Sequence, residues 1–252
     1  MNSFISRIGG KKLLSKEIIY RFPDPFPERY IEVFGGAGWV MFALQQTAKL
    51  EVFNDIDSQL INLFRCVKYH CGELQREIKW VLTSREVFLD IRELQSYRGL
   101  TDIQRAAIYF ILIKESYGSD TRSFGCSKRN VVDAAGYLAK VQERLKKTVI
   151  ENKDFESLIK TYDRPEALFY LDPPYHGTED CYEHIFSAED HIRLNSLLKR
   201  IKGRFILSYN DDDFIRDLYQ GFEIEAVSRA NNLLMRNGAG NPKFRELLIK
   251  NY

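Results

Sequence analysis

The spacing of apolar residues changes period several times along the chain. Arg29-Tyr30-Ile31-Glu32-Val33-Phe34 and Leu50-Glu51-Val52-Phe53-Asn54 read as strands, each followed by a helix-period stretch, at 39–44 and 59–69. Ahead of them a helical pattern through Leu13, Leu14, Ile18 and Ile19 stops before Pro23. From about 71 to 148 the period turns helical, with helices predicted over 74–82, 87–97, 103–117 and 134–145 and few strand signals. Strands then return at Val149-Ile150-Glu151-Asn152, Ala167-Leu168-Phe169-Tyr170, Arg204-Phe205-Ile206-Leu207-Ser208-Tyr209, 222–227 and 246–249, with helices over 192–201 and 212–219. Alternating strands and helices predict an α/β fold: one sheet with helices on both faces, formed by residues 1–70 and 149–252 and interrupted by a helical insertion over 71–148.

The composition narrows the classes of partner. Hydrophobic residues make up 44% of the 252 positions and aromatics 13%, enough for a sizeable core. A formal net charge of only +2 means that any nucleic-acid contact needs a local basic patch. No apolar run approaches the ~18 residues of a membrane span, and Met1-Asn2-Ser3-Phe4-Ile5 opens no signal peptide, so no membrane contact is expected. The cysteines, Cys66, Cys71, Cys126 and Cys181, are scattered and make no paired zinc pattern, so no metal is expected. Free thiols without an export signal suggest a cytoplasmic protein.

The chemistry-bearing residues gather where strands end. Gly35-Gly36-Ala37-Gly38 joins the first strand to its helix, the arrangement that lets backbone approach a nucleotide-like ligand. The second strand ends at Asp55-Ile56-Asp57, where a carboxylate can bond ribose hydroxyls; Asp57 or Ser58 can also cap the next helix. The third glycine of a dinucleotide turn is missing, and little is offered to a pyrophosphate. S-adenosylmethionine, an adenosine cofactor without phosphates, fits better. Near the start, Arg7-Ile8-Gly9-Gly10-Lys11-Lys12 offers amides and a cation to an anion, or is simply a turn with surface lysines. The strand 167–171 ends in Asp172-Pro173-Pro174-Tyr175, where two prolines stiffen the turn that carries the carboxylate and the ring.

Within the insertion, Arg122, Lys128, Arg129, Lys140, Arg144, Lys146 and Lys147 are opposed between 121 and 148 only by Asp133 and Glu143. They suit a phosphate-contact surface or a solvated helix face. A second basic loop over 230–243 carries Arg236 and Lys243. The loop 176–186, with Tyr182, His184 and Phe186, can cover a pocket; His176 or His184 could act as a base, although the chemistry below needs neither.

These pieces suit attack by an amino group of a nucleobase. Its lone pair is delocalised into the ring, so a carboxylate and a carbonyl accepting from the amino hydrogens, those of Asp172 and Pro173, would free it, with Tyr175 stacking on the base. Taken in order, Gly9-Gly10-Lys11, Phe34-Gly35-Gly36-Ala37-Gly38, Asn54-Asp55-Ile56-Asp57 and Asp172-Pro173-Pro174-Tyr175 resemble the Dam-like DNA adenine methyltransferases, of the group with its target-recognition region between the cofactor and catalytic motifs. The resemblance implies a Rossmann-like class I S-adenosylmethionine-dependent methyltransferase sheet, with the insertion as target-recognition domain. It implies cofactor contacts at Arg7, Lys11, Asp55 and Asp172 and catalysis at Asp172, Pro173, Pro174 and Tyr175; the motifs add Gly9, Gly10, Phe34, Gly35, Gly36, Gly38 and Ile56 to the cofactor side, and the basic clusters offer Arg122, Lys128, Arg129, Arg236 and Lys243 as candidate DNA contacts. Double-stranded DNA is the implied partner, with a cognate restriction endonuclease as a further one, and the chain is expected as a monomer or weak dimer. Two departures stand out: Arg7 occupies a position that is aromatic in many relatives, and the segment after Tyr117-Gly118 is short. Rival readings are methylation of a cytosine or RNA amino group, a DNA-binding regulator without activity, and a nicotinamide dehydrogenase.

Overall fold

A computed structural model describes residues 1–7, 9–125, 130–177, 186–230 and 243–252. Seven strands form one sheet: β1 (Arg29–Glu32), β2 (Leu50–Asn54), β3 (Thr148–Glu151), β4 (Ala167–Leu171), β5 (Arg204–Asn210), β6 (Glu223–Ala230) and β7 (Lys243–Lys250). Their order is β3-β2-β1-β4-β5-β7-β6. All neighbours are parallel except β7, which runs antiparallel to both β5 and β6. The order reverses between β1 and β4, so a crevice opens at their carboxyl ends, where open α/β sheets bind ligands. Glu32 pairs with Tyr170 in that register, which brings Phe34-Gly35 level with Asp172-Pro173.

Strand alternation sends neighbouring residues to opposite faces. Tyr30, Phe53, Leu168, Tyr170, Ile206 and Leu248 join one apolar cluster, and Ile31, Val52, Phe169, Leu171, Phe205 and Leu247 join the other. The first face is covered by α1 (Ser15–Tyr20), α2 (Trp39–Ala43) and α3 (Ser58–Tyr69). The second carries α9 (Phe155–Tyr162), α10 (Ala188–Leu198) and α11 (Asp213–Leu218).

The insertion supplies α4 (Cys71–Lys79), α5 (Arg85–Leu94), α6 (Asp102–Glu115), a 3-10 turn (Tyr117–Ser119), α7 (Val131–Gly136) and α8 (Leu138–Leu145). Its helices do not form a core apart from the sheet. Leu74, Ile78, Phe110, Leu138, Val141 and Leu145 share one continuous cluster with Phe42 and Phe64. Among the described residues α5 adds a small separate cluster, Phe88 against Ile108 and Leu112. Thr101 and Gln104 cap α6 reciprocally, a capping box.

Three expectations shift. Helix α9 lies where no helix was expected; its cap is Asp154, which accepts from the Glu156 amide at 3.0 Å. Helix α10 begins at Ala188, four residues before the expected start, because Ser187 and Asp190 form a second capping box. Arg144, expected on a basic surface, is an internal strut: its guanidinium bonds both Glu51 oxygens, at 2.6 and 3.1 Å, and the Met41 carbonyl at 3.0 Å. Among the described residues no helix is long and apolar enough to cross a membrane.

Candidate active site

The crevice at the strand reversal is a cavity of about 210 Å³, and the expected motifs converge on it. Arg7, Gly9, Gly10, Lys11, Phe34, Gly35, Gly36, Gly38, Asp55, Ile56, Asp172, Pro173 and Pro174 all line it. Phe186, from the loop expected to cover a pocket, lines it too, as do Phe155, Trp39, Glu32 and Arg193, which sequence reasoning had not placed there.

One wall is backbone. At Gly35 an added Cβ would lie 2.4 Å from the Phe53 ring and 2.8 Å from the Asn54 carbonyl, so only glycine fits. Gly36 and Gly38 have φ of +50° and +69°, a region that side chains disfavour. The turn is fastened by Asp55, whose Oδ2 accepts from the Gly36 amide at 2.8 Å and whose Oδ1 accepts from the Asp57 amide at 2.9 Å. Asn152 donates to the carbonyls of Asp55 and Ile56, at 2.8 and 3.1 Å, and steadies the same bend. Burial pushes the Asp55 carboxyl up, opposed by Arg7.

Asp57 is the cap of α3, accepting from the amides of Gln59 and Leu60 at 2.9 and 3.1 Å. Its second oxygen takes Arg7 Nη1 at 2.9 Å and the Tyr109 hydroxyl at 3.1 Å. Arg7 is therefore tied to the second-strand carboxylates, and Tyr109 brings the insertion's α6 to the rim of the site. Ile56 is 49% exposed beside them. Opposite, Phe34, Phe155 and Phe186 meet with ring centroids 5.6–5.8 Å apart, and the Arg193 guanidinium lies 4.2 Å from the centre of Phe155.

The other wall is buried charge. Asp172 follows the fully buried β4 and retains partial exposure toward the cavity. Lys11 Nζ lies 2.7 Å from Asp172 Oδ1, and the Ser208 hydroxyl donates to the same oxygen at 2.8 Å. Both ties fall on Oδ1; among the described residues no hydrogen bond engages Oδ2. Lys11 is itself buried and donates to the Gly9 carbonyl at 3.2 Å. Burial pushes the Asp172 carboxyl up; Lys11 opposes that and Glu246 adds to it. Glu32, on β1, accepts from the Tyr30 hydroxyl and the Met41 amide at 2.8 and 2.9 Å, and burial pushes its carboxyl up to about 8.

Tyr175, expected to stack on a base, is only 8% exposed and does not line the cavity. Its hydroxyl donates to Glu246 Oε2 at 2.8 Å, and its ring lies 6.1 Å from Tyr209 and 4.7 Å from Lys11 Nζ. His176 pairs with Asp212 at 3.2 Å and stacks on Phe214 at 4.6 Å, away from the lining. Of the expected DNA contacts, Arg122 is exposed on the insertion. Lys128, Arg129 and Arg236 lie outside the described residues, as do Tyr182 and His184; Lys243 opens β7, its side chain undescribed.

Comparison with known proteins finds relatives that match along the whole chain. The chain is 24% identical over 271 residues to the type II methyltransferase M.CviBI of Paramecium bursaria Chlorella virus NC1A, covering all of both chains. It is 26% identical over 285 residues to the type II methyltransferase M1.LlaDCHI of Lactococcus lactis subsp. cremoris, covering all of this chain and 96% of that one. A DNA adenine methylase of Vibrio cholerae is 25% identical over 270 residues, covering 98% of this chain and 94% of its own. The profile of one family matches residues 8–233, which takes in all four motifs, and the chain thus belongs to the D12 class N6 adenine-specific DNA methyltransferases.

Proposed function

We propose that the protein transfers a methyl group from S-adenosylmethionine to the exocyclic amino group of an adenine extruded from duplex DNA, directly and without a covalent enzyme intermediate. The observation that carries this is the pairing, across one cavity, of the glycine bend fastened by Asp55 with a carboxylate anchored through a single oxygen. The cofactor, when bound, supplies an activated methyl on its sulfonium. The residues suit such a group: Gly35 lets the bend lie tight on Phe53, Gly36 at positive φ leaves open space beside it, Asp55 and Ile56 stand at the second-strand corner, and Phe155 and Phe186 give an apolar wall. No pyrophosphate need be accommodated.

Anchoring of Oδ1 leaves Asp172 Oδ2 to accept from the amino group, with the Pro173 carbonyl as second acceptor. Both draw the amino hydrogens and free the lone pair for in-line attack. The proline pair keeps the two acceptors from rotating away. A stacked and paired base cannot reach this cavity, so extrusion at a cost of a few kcal/mol is part of the reaction. Arg122 and the sequence-basic residues Lys128, Arg129, Arg236 and Lys243 are the candidates for phosphate contact, with binding that weakens as salt rises.

Incubation with duplex DNA of varied sequence and methyl-labelled S-adenosylmethionine tests this directly. Digestion should show label in N6-methyladenine. Label in N4-methylcytosine, or on RNA alone, would refute the adenine assignment, and no transfer would leave a DNA-binding protein without activity.

A further inference from the structure

We infer that Glu246 is a positioning residue for methyl transfer, which from β7 holds Lys11 and Tyr175 and through them fixes the Asp172 carboxylate and the turn behind it. The inference rests on the function proposed above. Glu246 is fully buried, paired in register with Asn210 on β5 and Val227 on β6. The sheet itself asks for an apolar side chain there: Leu248, two residues on and on the same face, joins the apolar cluster of that face. A buried carboxylate is costly to place and adds nothing to a sheet that a Leu would not. What the carboxylate does have is partners from the catalytic side.

Glu246 Oε2 accepts from the Tyr175 hydroxyl at 2.8 Å and lies 3.9 Å from Lys11 Nζ. The ammonium in turn lies 2.7 Å from Asp172 Oδ1 and 4.7 Å from the centre of the Tyr175 ring. Lys11 is thus held among two carboxylates, an aromatic face and the Gly9 carbonyl. The Asp172 to Tyr175 turn is gripped at both ends, through Lys11 at its first residue and through the phenol at its last. Two carboxylates facing one ammonium also leave a net negative charge. Asp172 is therefore not fully neutralised by Lys11 and keeps the acceptor strength that its role demands. The titratable groups facing this pair are Lys11 from the N-terminal segment, Glu32 from β1, Tyr170 from β4, Tyr175 from the turn and Tyr209 from β5.

The test uses the full chain with Glu246→Gln and Glu246→Leu, read by single-turnover methyl transfer at saturating S-adenosylmethionine across pH, beside thermal melting. Glu246→Gln should fold, bind the cofactor within about threefold of the parent and transfer at least about tenfold more slowly. With one negative charge removed, Asp172 gives up its proton more readily, so the acid limb of the rate profile should move to lower pH. Glu246→Leu should lose transfer at least as fully and melt somewhat lower, since it leaves the buried Tyr175 hydroxyl without its acceptor. Rates within about twofold of the parent in both variants would overturn the inference. So would rate and melting temperature falling together with the pH profile unmoved, which would make Glu246 structural only. An active parent separates either result from failure of the proposed function itself.

Discussion

The wall of the cavity formed by the ends of β1 and β2 is made of backbone, whereas the wall formed by the end of β4 is made of buried charge. The first is local. Gly35, Gly36 and Asp55 lie at the ends of the paired strands β1 and β2, with Gly36 and Asp55 19 residues apart. The second is assembled from four distant places: Lys11, Asp172, Ser208 and Glu246. The difference matches the tasks proposed for them. A seat for a cofactor needs shape, which glycine and a few amides supply. A carboxylate that must accept from an amino group needs a set orientation and charge, which takes partners from several elements.

That contrast can be broken at either wall. The largest effect is expected at the charged one. Asp172→Ala should cut methyl transfer by at least about 10³-fold with the fold intact by circular dichroism, because the acceptor and the partner of Lys11 go together. Near-normal turnover would remove Asp172 from the chemistry.

At the backbone wall the effect should appear first in stability. Gly35→Val would drive a side chain into the Phe53 ring and the Asn54 carbonyl, at a cost of about 1–3 kcal/mol, read as a lower urea midpoint. An unchanged midpoint would mean that the two strand ends can part freely.

A third effect, confined to the pH dependence of stability, concerns Glu32, which lines the cavity between the walls. Its carboxyl is pushed up to about 8 from the ordinary 4.5, so between those values the folded state holds a proton that the unfolded state has released. Stability from this group is present at low pH and lost as pH rises through that window. Glu32→Gln should therefore flatten the fall in melting temperature between pH 5 and pH 8. A parallel fall in both proteins would mean that Glu32 titrates normally.

What could be read in advance divides along the same line. The glycine bend, the Asp55 corner and the Asp57 cap are short-range features, so the sequence alone identified them. The strand-ending prolines after β4 marked the turn that carries Asp172 to the cavity for the same reason. Tyr175 was read as a ring for stacking because the partner of its hydroxyl, Glu246, lies 71 residues away. Arg144 looked like part of a basic surface because its partner, Glu51, comes from β2, 93 residues earlier. Helix α9 was legible and missed: Asp154 caps it, and Phe155, Leu158, Ile159 and Tyr162 follow helical spacing on its inner side. The continuity of the insertion with the sheet's core follows from packing of α6 and α8 on α3, which no local pattern announces.

One measurement separates the two walls most directly: single-turnover methyl transfer by Asp55→Ala and Asp172→Ala as S-adenosylmethionine is raised to saturation. If the backbone wall seats the cofactor and the charged wall acts on the base, Asp55→Ala should need about 10–100-fold more cofactor yet approach the parent rate, and Asp172→Ala should stay inactive at every concentration. Recovery of Asp172→Ala at high cofactor, or failure of Asp55→Ala to recover despite bound cofactor, would contradict that division of labour.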